Sequence, residues 1–594
     1  MSTTILGISC FYHDAAAALI RDGEVIAAAH EERFTRIKHD FDFPRNAIRF
    51  CLEEAGISVP ELDSVAFYDK PFLKFERILF SYLATFPRSF RSFMQAMPLW
   101  LRQKLWVRHI IRKELSYQGE ILFMQHHQSH AASAFYPSPF EEAAVLTVDG
   151  VGEWATATFG VGKGHHLNLL REIRFPHSLG LFYSALTYYL GFRVNNGEYK
   201  VMGLAPYGEP RFLNRMREVL VALPDGSFRN NMRYFAYDYG LRMTNERFHR
   251  LFGAPPRKPG EELTQFHRDV AASGQALLEE ILLNMVRHVH KQTGQQYLCM
   301  AGGVALNCVA NGRILREGPF EDLFVQPASS DAGGALGAAL FTYHQLQNRP
   351  QRFVMKHAYL GSRFGPDAVL NYLQQNGIAH ERLPEEKLVT RVAEYLAKGK
   401  IVGWFQGAAE FGPRALGNRS ILADPRRAEM KDILNEKVKH REPFRPFAPA
   451  ILEERLSEYF EIDRPSPYML LVARVKKPEE IPAVTHVDGT ARVQSVNERQ
   501  NPRFYRLLRA FEAQTGCPVL VNTSFNVRGE PIVDSPHDAY LCFRKTQIDV
   551  LVLGDFLILD RENPPLDNVH NSFRHKTCAS DAKMPEPVRN DASV

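Results

Sequence analysis

The chain has 594 residues, 72 Lys and Arg against 67 Asp and Glu, a formal net charge of +5, and is 45% hydrophobic and 23% charged. Single domains rarely grow past roughly 250–300 residues, so at least two domains are expected. The composition is that of a soluble globular protein; the small net charge does not demand nucleic acid, though it suits anionic small substrates, and no apolar run approaches the ~20 residues that span a bilayer.

The amino terminus enters a strand pattern at residues 4–8 without a basic and apolar leader, from which a cytoplasmic protein is expected. Seven cysteines, at 10, 51, 299, 308, 517, 542 and 578, form no Cys-x-x-Cys pair, which predicts reduced, mostly structural thiols. Residues 5–29 read as strand, polar loop at His13-Asp14, strand 15–20, tight turn Arg21-Asp22-Gly23 and strand 24–29. Residues 143–170 repeat that plan, with a loop at 149–153 and a turn at 162–164. A strand, a ligand loop and a returning hairpin, used twice, predict two related α/β halves facing a cleft, as in actin and the sugar kinases.

Between the copies, residues 72–117 are rich in aromatic and basic side chains. Pro87 and Pro98 are expected to break them into short helices that pack their aromatics on the domain as a cap. His126 and His130 then stand four apart, one helical turn, so both imidazoles share a face. The apolar run 143–148 ends in Asp149, a carboxylate delivered at a strand's carboxyl end. Two His and a carboxylate suit Fe(II) with open positions. Gly-rich stretches follow at 301–307 and 329–337, where backbone can approach a phosphate or sugar. Asp331, at the entrance of the apolar helix predicted for 332–340, either caps that helix or supplies a fourth metal ligand.

The pattern loosens around 345–366, and the predicted organisation is a first domain over 1–348, a linker over 349–365, a second domain over 366–570 and a polar, disordered tail over 571–594. In the second domain Arg414, Arg419, Lys437, Arg441 and Arg445 recur beside Gly and Pro turns that can hold them against a phosphate. Ser524, Asn526 and Arg528 follow an apolar strand, where hydroxyl, amide and guanidinium groups can bind a nucleotide.

At these residues the chain resembles the NodU/TobZ/CmcH-type ATP-dependent O-carbamoyltransferases. The matching stretches are His13-Asp-Ala-Ala-Ala-Ala18, Glu31-Glu-Arg-Phe-Thr-Arg36, His126-His-Gln-Ser-His130, Val148-Asp-Gly-Val-Gly-Glu-Trp154, Gly197-Glu-Tyr-Lys-Val-Met-Gly-Leu-Ala-Pro-Tyr-Gly208, Phe411-Gly-Pro-Arg-Ala-Leu-Gly417, Arg441-Glu-Pro-Phe-Arg-Pro-Phe-Ala448 and Asn522-Thr-Ser-Phe-Asn526. The resemblance implies a duplicated actin/sugar-kinase-like, ribonuclease-H-like first domain and a YrdC-like α/β second domain. It further implies that the second domain makes carbamoyl adenylate from ATP (with Mg) and carbamoyl phosphate, and that the first transfers the carbamoyl group to a hydroxyl. Carried over by residue, the family's Fe(II) ligands fall on His126, His130, Asp149 and Asp331, and its catalytic histidine on His13. Lys437, Arg492 and Ser524 resemble residues that hold the adenylate or its precursors, with Arg414 and Asn526 beside them.

His13 can orient or deprotonate the acceptor hydroxyl, or donate to the developing oxyanion; the residues leave those roles open. The partners expected are a small-molecule hydroxyl acceptor, without nucleic acid or membrane, and the chain is compatible with a homodimer. The alternatives are a threonylcarbamoyl-type tRNA-modifying transferase, which both domains in one chain without a basic stripe disfavour, and a non-catalytic nucleotide-binding protein, which the intact His and Asp set disfavours. Hydrogenase-maturation carbamoyltransferases are related too, but their zinc-finger Cys-x-x-Cys pairs are absent here.

Overall fold

The computed structural model describes residues 2–559 together with 569 and 571, so Cys578 and, residue 571 apart, the tail assigned to 571–594 lie outside the described residues. Contacts divide the chain into two compact units: one runs up to Leu360 and includes Phe411–Pro413 and Leu470–Val472, and the other takes the rest from Gly361.

The first unit is built twice on one plan. Strands β1 (Thr4–Ser9), β2 (Ala16–Arg21), β3 (Glu24–His30), β4 (Ser64–Phe67) and β5 (Glu120–Phe123) form a sheet in the order β3-β2-β1-β4-β5. The first three are antiparallel, and β4 and β5 run parallel to β1. After β6 (Glu142–Val148), β7 (Ala155–Lys163), β8 (His166–Arg174) and a small hairpin of β9 (Leu220–Ala222) and β10 (Phe228–Asn230) come β11 (Tyr297–Ala301) and β12 (Asp322–Val325). The second sheet, β12-β11-β6-β7-β8, repeats the first strand for strand and direction for direction. This is the duplicated actin/sugar-kinase-like, ribonuclease-H-like α/β fold.

Local sequence explains the hairpins. Asp22 and Gly23 both take positive φ, 52° and 85°, as a two-residue turn matched to strand twist requires. In the second copy β7 runs on to Lys163, which pairs with His166, so the turn falls at 164–165, later than expected. Strands β1 and β6 are buried along nearly their whole length, which is why they read as near-continuous apolar runs instead of alternating.

The segment between the copies forms helices Pro71–Ala84, Phe90–Arg102 and Val107–Leu115. Pro87 lies in the first break, but Pro98 sits inside a helix, contrary to expectation. That helix continues through the lost hydrogen bond because Met97 and Trp100 on either side of the ring are buried. Nor do all of the large apolar side chains here pack inward: Phe72, Phe80, Leu83, Phe86, Phe90 and Trp106 are all more than half exposed.

The segment read as a linker is pinned along its first part. Arg352 donates to the carbonyls of Phe135, Tyr136, Ser138 and Phe140, Met355 N–H donates to Pro137 O, and Ala28 N–H donates to Leu360 O. The second unit is α/β, with a mixed sheet whose spatial order is Glu381–Arg382, Phe556–Ile558, Val550–Leu553, Val402–Phe405, Arg419–Ala423, Val519–Ser524, Ala448–Leu452, Thr490–Val496 and Leu471–Arg474. Its core gathers Trp404, Phe504, Phe511, Tyr540 and Phe543. Among the described residues no disulfide forms, Cys10, Cys51, Cys299, Cys308, Cys517 and Cys542 are buried, and no helix is long and apolar enough to cross a membrane.

Candidate metal centre and anion pocket

The duplication places equivalent elements on opposite sides of one point. The helix after the fifth strand of each copy, His126–Phe135 and Asp331–Phe341, packs against the other closely enough that a Cβ at Gly337 would overlap the Ser129 carbonyl. The first hairpin loop of one copy carries His13, and that of the other carries Asp149.

His126, His130, Asp149 and Asp331, all buried, converge so that one ligand atom from each lies within 4.8 Å of the others. His126 Nε2 is 3.0 Å from Asp149 Oδ2 and 3.1 Å from His130 Nε2. Asp331 Oδ1 is 3.7 Å from both Nε2 atoms, and His130 Nε2 is 3.8 Å from Asp149 Oδ2. Donors ~2.1 Å from one ion stand about 3.0 Å apart at right angles and about 3.4 Å apart at tetrahedral angles, so these spacings fit a single divalent cation. Asp331 Oδ1 is fully buried with no hydrogen-bond partner among the described residues. Lone pairs from four groups facing one another repel unless a proton or a metal lies between them, and the nitrogen and oxygen donor set suits a divalent transition metal.

The surroundings orient these groups. Gly303 N–H donates to Asp149 Oδ1 at 2.8 Å, and Tyr68 hydroxyl donates to Asp331 Oδ2 at 3.3 Å. Glu153, missed as a site residue although its motif was noticed, accepts from the His126 N–H at 3.0 Å and so fixes the start of the helix bearing both imidazoles. His127 points elsewhere: Thr147 Oγ1 at 2.7 Å and the Ala155 carbonyl at 2.9 Å occupy its two nitrogens, and burial pushes it down to about 3. The cap of the helix starting at Asp331 receives no side-chain hydrogen bond, and Asp331 is its first residue, so capping does not explain this carboxylate.

Burial by itself would lower His130, but the carboxylates of Asp149 and Asp331, 3.8 and 3.7 Å from its Nε2, hold it up at about 9. Burial would likewise raise Asp149, yet His126 and His130 keep it well below the usual carboxylate range. Two anions facing two imidazoles therefore retain a proton that a cation can displace. His13 lies in the loop between β1 and β2, one-fifth accessible, with Nδ1 3.1 Å from Asp14 Oδ2. Its burial is outweighed by the charges of Asp331 and Asp14, which raise it to about 10.

In the second unit the structure gathers a set of guanidinium groups. Burial and repulsion from Arg445 and Arg492 push Arg441 well below its ordinary value. Burial also lowers Arg445, Glu442 opposes that, and Arg414 and Arg528 lower it further. Arg492 and Arg445 thus lie within electrostatic reach of Arg441, and Arg414 and Arg528 within reach of Arg445, with Glu442 as counter-charge 3.9 Å from Arg445 and 3.4 Å from Arg528. Such mutual repulsion is relieved by a polyanion.

Two expected phosphate ligands fall outside this group. Arg419 is fully buried and donates to the carbonyls of Gln406, Gly407, Asn418, Ser362 and Asp534, with its guanidinium 3.7 Å over the Phe405 ring. Its charge supports the loops of its own unit. Lys437 is exposed, and the lysine beside Ser524 and Asn526 is Lys439 instead. Lys439 Nζ reaches Ser524 O at 2.6 Å, Ser524 Oγ at 3.2 Å, Asn526 O at 2.8 Å and Asn526 Oδ1 at 2.6 Å. Both lysines lie on the helical turn Leu434–Lys439, where side chains two positions apart face roughly opposite ways, so only one of them can reach the loop at 524–526. A lysine two positions from the expected one was visible in the sequence, but which of the two faces inward was not.

An α/β unit that repeats one ribonuclease-H-like plan around a buried centre of two His and two carboxylates, in one chain with a second α/β unit that gathers arginines, defines a two-unit α/β architecture with a candidate metal centre. Comparison with known proteins carries this further. Residues 4–340 match the family described as carbamoyltransferase N-terminus, and residues 393–560 the one described as carbamoyltransferase C-terminus. The chain belongs to the carbamoyltransferase family. It is 53% identical over 601 residues to an uncharacterized protein of Synechocystis sp., covering 95% of this chain and 97% of that one. Nodulation protein NolNO of Sinorhizobium fredii is 42% identical over 572 residues, 94% of this chain and 80% of its own. A 3'-hydroxymethylcephem-O-carbamoyltransferase of Amycolatopsis lactamdurans is 33% identical over 438 residues, 72% of this chain and 79% of its own.

Proposed function

We propose that this chain is an ATP-dependent O-carbamoyltransferase that activates carbamoyl phosphate as carbamoyl adenylate in its second unit and delivers the carbamoyl group to a small-molecule hydroxyl in its first. The observation that carries the reading is the convergence of His126, His130, Asp149 and an unpartnered Asp331 Oδ1 in a chain of this family. A relative named for a hydroxymethyl substrate supports a hydroxyl acceptor. The reading takes a cytoplasmic location, where ATP is supplied, and a reaction without nucleic acid or membrane.

In the second unit Arg414, Arg441, Arg445, Arg492 and Arg528 hold the phosphates of ATP, with Mg, and of carbamoyl phosphate, which otherwise repel each other. Lys439 fixes the loop that presents Ser524 and Asn526. Carbamoyl phosphate and water give carbamate and phosphate. The carbamate oxygen then bonds to the α-phosphorus of ATP as the bond to pyrophosphate breaks.

In the first unit His126, His130, Asp149 and Asp331 would hold Fe(II), which when bound polarises the carbamoyl carbonyl. His13, no longer held protonated once a cation offsets Asp331 and Asp149, takes the proton of the acceptor hydroxyl as that oxygen bonds to the carbamoyl carbon, and AMP leaves with the electron pair of the broken bond. The test supplies ATP, Mg and carbamoyl phosphate and measures pyrophosphate release, then adds 3'-hydroxymethylcephem and follows its mass. Pyrophosphate release that does not depend on carbamoyl phosphate would sink the reading.

A further inference from the structure

The stretch Glu31-Glu-Arg-Phe-Thr-Arg36 has no part in the reaction as described, yet Glu31, Glu32 and Arg33 are all buried. Their partners explain why. Glu31 accepts from the N–H groups of Asn46 and Ala47 and anchors the next helix. Glu32 Oε2 accepts from the His39 N–H at 2.8 Å, and its Oε1 pairs with Lys38 Nζ at 2.9 Å. Thr35 Oγ1 donates to Asp40 Oδ2 at 2.7 Å. Together they shape a turn at 38–41 that lies along the loop bearing His13, since Phe11 N–H donates to Phe41 O and Ala15 N–H to Asp40 O.

That turn presents His39 to Asp14. His39 Nδ1 lies 2.8 Å from Asp14 Oδ1, and Ser330 Oγ donates to Asp14 Oδ2 at 3.2 Å. The same Oδ2 is 3.1 Å from His13 Nδ1. Phe11, Asp14 and His39 all hold positive φ, 71°, 52° and 56°, a conformation that costs free energy in non-glycine residues and persists where the surroundings impose it. An anionic carboxylate 3.1 Å from Nδ1, although not aligned as a hydrogen bond, favours the proton on that nitrogen by its charge and leaves Nε2 to act on the substrate.

We propose that Asp14, clamped by His39 and Ser330, is the positioning residue that fixes the tautomer and orientation of His13, and that residues 31–36 build the clamp. The inference rests on the role given above to His13. Asp14 is not alone in acting on that ring: Tyr12 in the same loop lies 5.0 Å from it, and the charges of Asp331 at the start of the helix Asp331–Phe341, of Asp149 after β6 and of Glu198 from the helix Glu198–Leu204 reach it too. A divalent cation at the four ligands offsets Asp149 and Asp331, so the metal-loaded chain isolates the effect of Asp14.

The experiment uses the full chain loaded with Zn(II), a diamagnetic probe, with ¹⁵N-labelled histidine. The resonance lost in His13→Asn assigns His13, and its tautomer and titration are compared in wild type, Asp14→Asn and Ser330→Ala. Wild type should hold the Nδ1–H tautomer, and Asp14→Asn should lose it and weaken proton binding at His13 at least about tenfold, one pH unit. Ser330→Ala, which leaves the carboxylate in place, should shift the titration in the same direction by less, and it serves if Asp14→Asn does not fold. An unchanged tautomer and titration in a folded Asp14→Asn overturns the positioning role, because a residue that only tied two loops together would give that result. Normal transfer to 3'-hydroxymethylcephem by His13→Asn would instead overturn the role of His13 itself, so the two failures are distinguishable.

Discussion

Asp331→Asn is the substitution that most directly separates the metal centre from the rest of the molecule. Asparagine keeps the side-chain volume and an acceptor for the Tyr68 hydroxyl 3.3 Å away. What disappears is a negative charge 3.7 Å from both His126 Nε2 and His130 Nε2, on a side chain that is 1% accessible and so unscreened by water or salt. A buried charge-assisted contact is worth ~1.5–3 kcal/mol, which corresponds to a roughly 10- to 150-fold loss of metal affinity. Competition against a chromophoric chelator, with Fe(II) or Zn(II) added to the metal-free chain, reads that loss directly. The arginine group belongs to the other compact unit, so pyrophosphate exchange driven by carbamoyl phosphate should stay within about twofold of wild type, as independent sites do. Wild-type metal affinity in the variant, or loss of exchange in a variant that remains folded, would refute the reasoning.

Metal affinity should also climb with pH, because His130, held at about 9 by the two carboxylates, must give up its proton to bind. Each displaced proton contributes about tenfold per pH unit between about 7 and 9, measurable as proton release in calorimetry across buffers. The metal-free fold shows the opposite trend. A raised histidine pKa stabilises fully below the unfolded value near 6.5 and ceases to do so as pH rises through about 9, so the metal-free protein should melt lower at pH 9.5 than at pH 7. Lys439→Met should cut pyrophosphate release at least about tenfold, since it strands two backbone carbonyls and frees the 524–526 loop, while Lys437→Ala, on an exposed side chain, should have little effect. Chemically made carbamoyl adenylate should restore transfer by Lys439→Met, and the reverse ranking of the two lysines would return Lys437 to the phosphate site. Gly337→Ala forces a methyl group into the Ser129 carbonyl, an overpacking cost of about 1–3 kcal/mol visible as a lower melting temperature and weaker metal binding.

The sequence by itself determined what depends on short-range geometry. Four-residue spacing put His126 and His130 on one helical face, the end of an apolar run put Asp149 at the tip of β6, and an Asp-Gly pair turned the first hairpin. The duplication was legible for a similar reason, since both copies repeat the same local pattern of strand, loop and hairpin, and the sheets confirm it in strand order and direction. Only the tertiary structure decided what depends on burial and on contacts distant in the chain. Arg414, Arg419 and Arg445 look alike in sequence, but Arg419 is enclosed by five carbonyls while the others join a group that repels itself. That Lys439 is the lysine against Ser524 and Asn526, while Lys437 is exposed, follows from the packing of the segment and leaves no mark in local residue preference. Asp331 reads equally well as a cap or a ligand until the fold brings it, two hundred residues along the chain, beside His126 and His130. Asp14 acquires its part in the same way, because a charge takes its role from the groups that surround it, and for Asp14 those are His39 from the neighbouring turn and Ser330 from the far end of the first unit.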